Sequence, residues 1–198
     1  MPLPEHYLHM KLSEYYRDFS NSYDNNMTGF LWPNSNQDLI SRLNISKEER
    51  VLDMGTGTGM NITFLPNSNN IYACDGSARI LELAKLRAEI LSRRIHWNAK
   101  VDLRNLPYKD EYFDKVILTY VLSGTANPIK VLSEAIRVTR EGGLIGIHDF
   151  ASSQYKLYTG FGNMNLHETY FCAASSLDVE YQKTFITSKP EQTLILRK

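Results

Sequence analysis

Cysteine is scarce: the 198 residues hold two, Cys74 and Cys172, far apart and without CxxC spacing. That leaves neither a disulfide framework nor a thiolate metal site to read, so no metal ligand set is expected. Both thiols read as small buried hydrophobes. Net charge is missing too. The 22 Lys+Arg balance 22 Asp+Glu, so no global field draws the chain onto phosphate backbones or anionic lipid, and nucleic acid is disfavoured as a partner. No apolar run approaches membrane-spanning length, and MPLPEHYLHMKL has no uncharged apolar core of the kind a signal peptide needs; a cytoplasmic protein with no membrane partner is expected. Internal repeats and low-complexity tracts are absent. Sequons at Asn26, Asn44 and Asn61 carry no weight without a secretory signal. The apolar fraction is ample: 42% of the residues, enough to bury the core of one domain.

The centre of the chain alternates short apolar runs with helical patterns, which argues for βαβ units. Val51 to Met54 reads as a first strand, followed by a short helix that must end near Pro66 and by Ile71 to Cys74 as a second strand. Ser77 opens the clearest helix, in which Ile80, Leu81, Leu83, Ala84, Leu86, Ile90 and Leu91 recur at helical spacing. Lys100 to Leu103 is expected as a third strand and Phe113 to Leu118 as a fourth. Asn127-Pro128 offers an N-cap and a first-turn proline for a helix over Ile129 to Thr139, with Gly142-Gly143 as its stop. Leu144 to His148 reads as a fifth strand. Val179 to Ile186 and Thr193 to Arg197 follow as a pair, antiparallel because the loop between them is short. Helices are also expected around Leu8 to Phe19, Ser35 to Leu43 and Leu166 to Ala174.

The stretch VLDMGTGTGM carries the strongest signal of chemistry. A strand that turns through glycines into a helix exposes backbone N–H groups and lets a ligand touch the main chain. Gly55, Gly57 and Gly59 give GxGxG, with Met60 where the third glycine of the dinucleotide fingerprint would stand, and no lysine follows as in a phosphate-cradling loop. Asp53 would repel a pyrophosphate but suits a ligand carrying an ammonium and a sulfonium. Asp75 closes the second strand, where its oxygens can accept both hydroxyls of a ribose. Asp102 is expected to close the third. Plainer roles exist for each: Asp53 as a cap of the turn, Asp75 as an N-cap and Asp102 as a solvated loop residue. Asp114, at the head of a strand, reads as a structural contact, and His6, His9, His96 and His167 as surface or capping residues.

The run DMGTGTG, YACDGS, VDLRNLPY, FDKVILTYVLS and LIGIHDF stands in the order of the class I S-adenosylmethionine (SAM)-dependent methyltransferases, and the chain resembles that family over roughly Tyr16 to Phe150. The small-molecule type, with a domain like that of the ubiquinone/menaquinone-biosynthesis group, is the nearest in kind. The resemblance implies a Rossmann-like, mostly parallel sheet of seven strands in the order 3-2-1-4-5-7-6, the last antiparallel, with helices on both faces. It also implies one domain over 1–198: a helical lid over 1–49, a SAM-binding core over 50–150, and a substrate-side segment with the final strand pair over 151–198. Carried over by position, Asp53, Met54, Gly55, Thr56, Gly57 and Gly59 would hold the methionine end of SAM and of its product S-adenosylhomocysteine. Asp75, Gly76 and Ser77 would hold the ribose, and Asp102 and the backbone of Leu103 the adenine. Thr119 and Tyr120 would approach the methionine portion or the methyl group, and Tyr16 and Tyr23 would close over the cofactor. Ser123-Gly124 stands where the family often has His, which leaves the base to be found elsewhere.

Leu118-Thr119-Tyr120-Val121 lacks the Asn/Asp-Pro-Pro-aromatic signature of base-amine methylation and the clustered acids of metal-assisted catechol methylation; neither cysteine has the Pro-Cys setting of cytosine methylation. A small-molecule O-, N- or C-methyltransferase is expected, acting by in-line displacement in which alignment is the main contribution of the protein. Tyr155, Tyr158, Phe161, Tyr170 and Phe171 are candidates to line the acceptor pocket. His148 is expected as the base ahead of Asp149 and Tyr23, with packing against the sheet as its plainer role. Strand alternation sends His148 and Asp149 to opposite faces. A SAM-binding protein without methyl transfer, partner-dependent or catalysing a rearrangement, is the alternative; an NAD-dependent oxidoreductase is opposed by Asp53 and the GxGxG spacing.

Overall fold

Seven strands of the computed structural model form one sheet in the order β3-β2-β1-β4-β5-β7-β6. The structure describes residues 33–125, 127–150, 180–182 and 191–198. The elements run α1 (Pro33–Leu43), β1 (Val51–Met54), a 3-10 turn (Met60–Thr63), β2 (Ile71–Asp75), α2 (Ala78–Ile90), β3 (His96–Ala99), β4 (Phe113–Thr119), α3 (Pro128–Val138), β5 (Thr139–Phe150), β6 (Glu180–Gln182) and β7 (Glu191–Arg197). β1 to β5 pair in parallel. β7 runs antiparallel to both β5 and β6. This is the expected strand order. The helices expected at Leu8 to Phe19 and Leu166 to Ala174 lie outside the described residues, as do Tyr16, Tyr23, Cys172 and the aromatic residues between Tyr155 and Phe171.

α2 and α3 start where their capping chemistry allows. Ser77 accepts from the N–H of Ile80 at 3.4 Å, and Asn127 accepts from Lys130 at 3.1 Å ahead of Pro128, each satisfying a donor with no partner inside its helix. α3 ends earlier than expected, at Val138 rather than Thr139, and does not need the glycine pair. Thr139 is already extended, and the carbonyls of Arg137 and Val138 accept from Glu111 and Tyr112. Gly142-Gly143 instead sits within β5, beside a register shift against β4.

The third strand was expected over Lys100 to Leu103 and is found at His96–Ala99. Lys100 has a left-handed backbone, φ 58°, which ends the strand before Asp102. Asp102 therefore lies in the turn beyond β3 rather than at its tip. That turn still meets the tip of β2, because Val101 donates to the Asp75 carbonyl at 3.1 Å.

Two cores flank the sheet. Leu39 and Leu43 of α1 pack with Val51, Ile71, Ile117 and Ile195 on one face. α2 adds Leu81, Ala84 and Ala88 through Ile95, which touches both groups. On the other face, Val131, Leu132 and Ala135 of α3 cover Leu52, Val116, Ile145 and Leu194. α1 sits close: a Cβ on Gly146 of β5 would lie 2.8 Å from Leu43 and 2.9 Å from Leu39. Cys74 is buried, and burial pushes its thiol up to about 12. It packs as a hydrophobe. Asp114 makes the structural contact expected of it, accepting from the Arg50 backbone at 2.8 Å and pairing with Arg140.

Candidate functional site

The strand order reverses direction between β1 and β4, and ligands of open α/β sheets bind outside the carboxyl ends of strands at such a point. Asp53 and Thr119 stand on either side of it. Register places Asp53 level with Ile117, Thr119 level with His148, and His148 level with Thr193. Because side chains alternate along a strand, Asp53, Thr119, His148 and Thr193 all project to the α1 face.

The three glycines of the turn do three different things. A Cβ on Gly55 would lie 2.6 Å from Val121, and one on Gly59 would lie 3.0 Å from the backbone of Ala84 in α2. Those two glycines permit internal packing. Gly57 has φ +56° and nothing within 4 Å of where its Cβ would be. Its open side is the stretch of bare backbone onto which a ligand can settle. Its N–H donates to Asp75 Oδ2 at 3.0 Å, and Ser77 N–H donates to Asp75 Oδ1 at 2.8 Å. One carboxylate thus fixes both the glycine turn and the start of α2, and each of its oxygens keeps a further lone pair for a hydroxyl donor. Gly55 and Thr56 donate in turn to the Cys74 carbonyl. Met54 points its side chain into the α3-side core.

Asp53 is 1% exposed. Thr56 Oγ1 donates to its Oδ2 at 2.5 Å and Asn61 Nδ2 to its Oδ1 at 2.7 Å. Burial pushes its pKa from 3.8 to about 6, against the stabilising bonds from Thr56 and Asn61 and with a further push from the Asp75 charge. Among the described residues no cation pairs with it. A buried carboxylate without a counter-charge is costly in a protein alone and favourable once a cation arrives.

Asp102 is half-exposed and held by Arg104 in a two-pronged pair, both bonds 2.9 Å. The Arg104 hydrogen bonds lower its pKa. Leu103 lies against the glycine turn, its Cδ1 3.3 Å from the Cβ position of Gly55. The segment beyond is clamped from α3: Glu134 accepts from Leu106 N–H at 2.7 Å, and Arg137 donates to the Leu106 and Tyr108 carbonyls and to Glu134.

His148 is 2% exposed. Its Nε2 meets the Tyr120 hydroxyl at 3.0 Å and its Nδ1 the Thr193 hydroxyl at 2.7 Å. Tyr120 is half-buried with φ 55°, a strained conformation for an aromatic residue. Its backbone N–H donates to the His148 carbonyl at 2.8 Å, so both ends of Tyr120 are bound to His148. Asp149 takes the opposite face, as alternation requires, and accepts from Leu122 and Ser123 N–H at 2.9 and 3.1 Å. It shapes the loop after β4.

Asn36, Asn61 and Thr193 were not expected in the site. Asn61 follows the glycine turn in the 3-10 segment and was visible only as a discarded sequon. Thr193 shares its face of β7 with Ile195 between two charged residues, and its partner is apparent only from the β5–β7 register.

A doubly wound sheet with carboxylates at the tips of β1 and β2, and a bare glycine backbone between them, defines the Rossmann-like α/β class. Comparison with known proteins narrows it. Residues 52–147 match the methyltransferase domain family, and over this region the chain is similar to SAM-dependent methyltransferases of the ubiquinone/menaquinone group. It is 27% identical over 137 residues to the demethylmenaquinone methyltransferase of Paenarthrobacter aurescens, covering 69% of this chain and 50% of that protein. It is 31% identical over 99 residues to the phosphatidylethanolamine N-methyltransferase of Cereibacter sphaeroides, covering 50% and 49%. The chain thus spans about half the length of these curated relatives. Among solved structures, the cyclase SpnF shares the fold with a TM-score of 0.70 at 18% identity, over 84% of this chain and 81% of that one.

Proposed function

We propose that this chain binds SAM and transfers its methyl group to an O, N or C atom of a small molecule. The observation that carries the proposal is the buried Asp53 carboxylate, without a counter-charge among the described residues, beside the open backbone of Gly57. Such a site fits a ligand with a positive charge at one end, and the Asp75 carboxylate fits a ribose diol. Asp53 would attract the ammonium of the cofactor, Asp75 would accept from its ribose hydroxyls, and Asp102 and Leu103 would hold its adenine. SAM, when bound, supplies an electrophilic methyl on a sulfonium. The protein supplies alignment, which in a displacement of this kind is the main source of acceleration.

Where the acceptor carries a proton, His148 is the base, and it works through Tyr120. The acceptor proton passes to the Tyr120 oxygen as the Tyr120 proton passes to His148 Nε2, leaving the Nδ1–H on Thr193. Residues 1–49 would serve as the lid, with Tyr16 and Tyr23 over the cofactor, and residues 151–198 would form the acceptor side. The relatives named for demethylmenaquinone and phosphatidylethanolamine favour an acceptor with an apolar body. Incubation with SAM and a panel of such quinols and amino lipids should yield S-adenosylhomocysteine. The cyclase among the structural neighbours supports a second reading, a rearrangement enzyme of the same fold, marked by SAM binding with no S-adenosylhomocysteine formed from any acceptor.

A further inference from the structure

Asn61 holds together three parts of the molecule that the sequence keeps far apart. Its Nδ2 donates one hydrogen to Asp53 Oδ1 at 2.7 Å and the other to Thr119 Oγ1 at 3.0 Å; its Oδ1 accepts from Asn36 Nδ2 of α1 at 2.9 Å. All three Asn61 side-chain bonds are inside the protein, where Asn61 is 2% and Asn36 8% exposed. The orientation of the amide is fixed by chemistry. A carboxylate only accepts, so turning Asn61 over would set its oxygen against Asp53 and its NH2 against the NH2 of Asn36. The bridge therefore spans the β1/β4 switch point and ties it to a helix outside the glycine motif.

Resting on the assignment of Asp53 to the cofactor ammonium, we infer that Asn61, oriented by Asn36, is a positioning residue for the amino-acid end of SAM. It holds the Asp53 carboxylate and the Thr119 hydroxyl in one arrangement and makes recognition of that end depend on the seating of α1 against the sheet. The nucleoside end, held at the tip of β2 and in the turn beyond β3, lies outside this bridge. Loss of the bridge should therefore weaken one end of the ligand and spare the other.

The test is calorimetric titration of the full chain with two ligands: S-adenosylhomocysteine, and 5′-methylthioadenosine, which has the same nucleoside and thioether but no amino acid. Asn61→Leu keeps the branched shape and removes the bridge. It should weaken S-adenosylhomocysteine by about 10- to 100-fold, the range for a hydrogen bond to a charged group, and leave methylthioadenosine unchanged. Asn36→Ala leaves Asn61 in place without its orienting donor and should show the same selectivity at smaller size, which keeps the test available should Asn61→Leu not fold. Unchanged S-adenosylhomocysteine affinity in the folded variants, or an equal loss for both ligands, overturns the positioning role. A wild-type chain that binds neither ligand overturns the cofactor assignment beneath it.

Discussion

Replacing Asp53 by Asn removes a buried charge while keeping its bonds. The new amide oxygen accepts from Asn61, and the new NH2 donates to the Thr56 hydroxyl, which rotates to accept it. The carboxyl titrates near 3.8 in the unfolded chain and about 6 when folded. At about 1.4 kcal/mol per pKa unit, the buried charge costs roughly 3 kcal/mol above that range. Between the two values the native state holds the extra proton, so wild-type stability falls as pH rises through this window. Asp53→Asn should accordingly melt about 6 to 12 °C higher than wild type near neutral pH. The gap should close as pH falls towards about 4. S-adenosylhomocysteine affinity should move the other way, weaker by about 10- to 100-fold, because the ammonium loses its counter-charge. Scanning calorimetry at both pH values and titration at neutral pH measure the three quantities. A variant that melts at or below wild type near neutral pH, or a gap that does not narrow on acidification, would refute the reasoning.

Asp75→Ala should cost roughly 1 to 3 kcal/mol of S-adenosylhomocysteine binding, through two lost ribose bonds and a loosened Gly57 turn, and titration calorimetry reads this directly. Arg137→Met should destabilise the fold by about 2 kcal/mol in urea unfolding, since it strips the Leu106 and Tyr108 carbonyls of a donor and leaves Glu134 without its cation.

Much of the fold was legible because its signals are local. Val51 to Met54, the Ser77 cap and Asn127-Pro128 each announce an element within a few residues, and each is found there. β3 was misplaced because it is an edge strand of His96, Trp97, Asn98 and Ala99, none of them fully buried. The more apolar VDL beyond it looked more like a strand, and the left-handed backbone of Lys100 cannot be read from a lysine. Asp53 and Asp75 were legible as strand-end acids in family order, whereas Asp102 lies in the turn beyond β3. The partners of Asp53 were not. Asn61 bonds Asp53 directly, and Asn36 and Thr119 join that network through Asn61 only after α1 has packed and β1 and β4 have paired. His148 was expected as a base facing the acceptor. The β5–β7 register encloses it instead between Tyr120 and Thr193, forty-five residues away in the chain.

The most direct measurement is titration of the unmodified chain with S-adenosylhomocysteine across about pH 5 to 8. Saturable one-site binding is expected, weakening as pH falls below about 6, where Asp53 takes up its proton in the free protein. No binding at any pH, or equally tight binding to a nicotinamide dinucleotide, would contradict the assignment of this site to SAM.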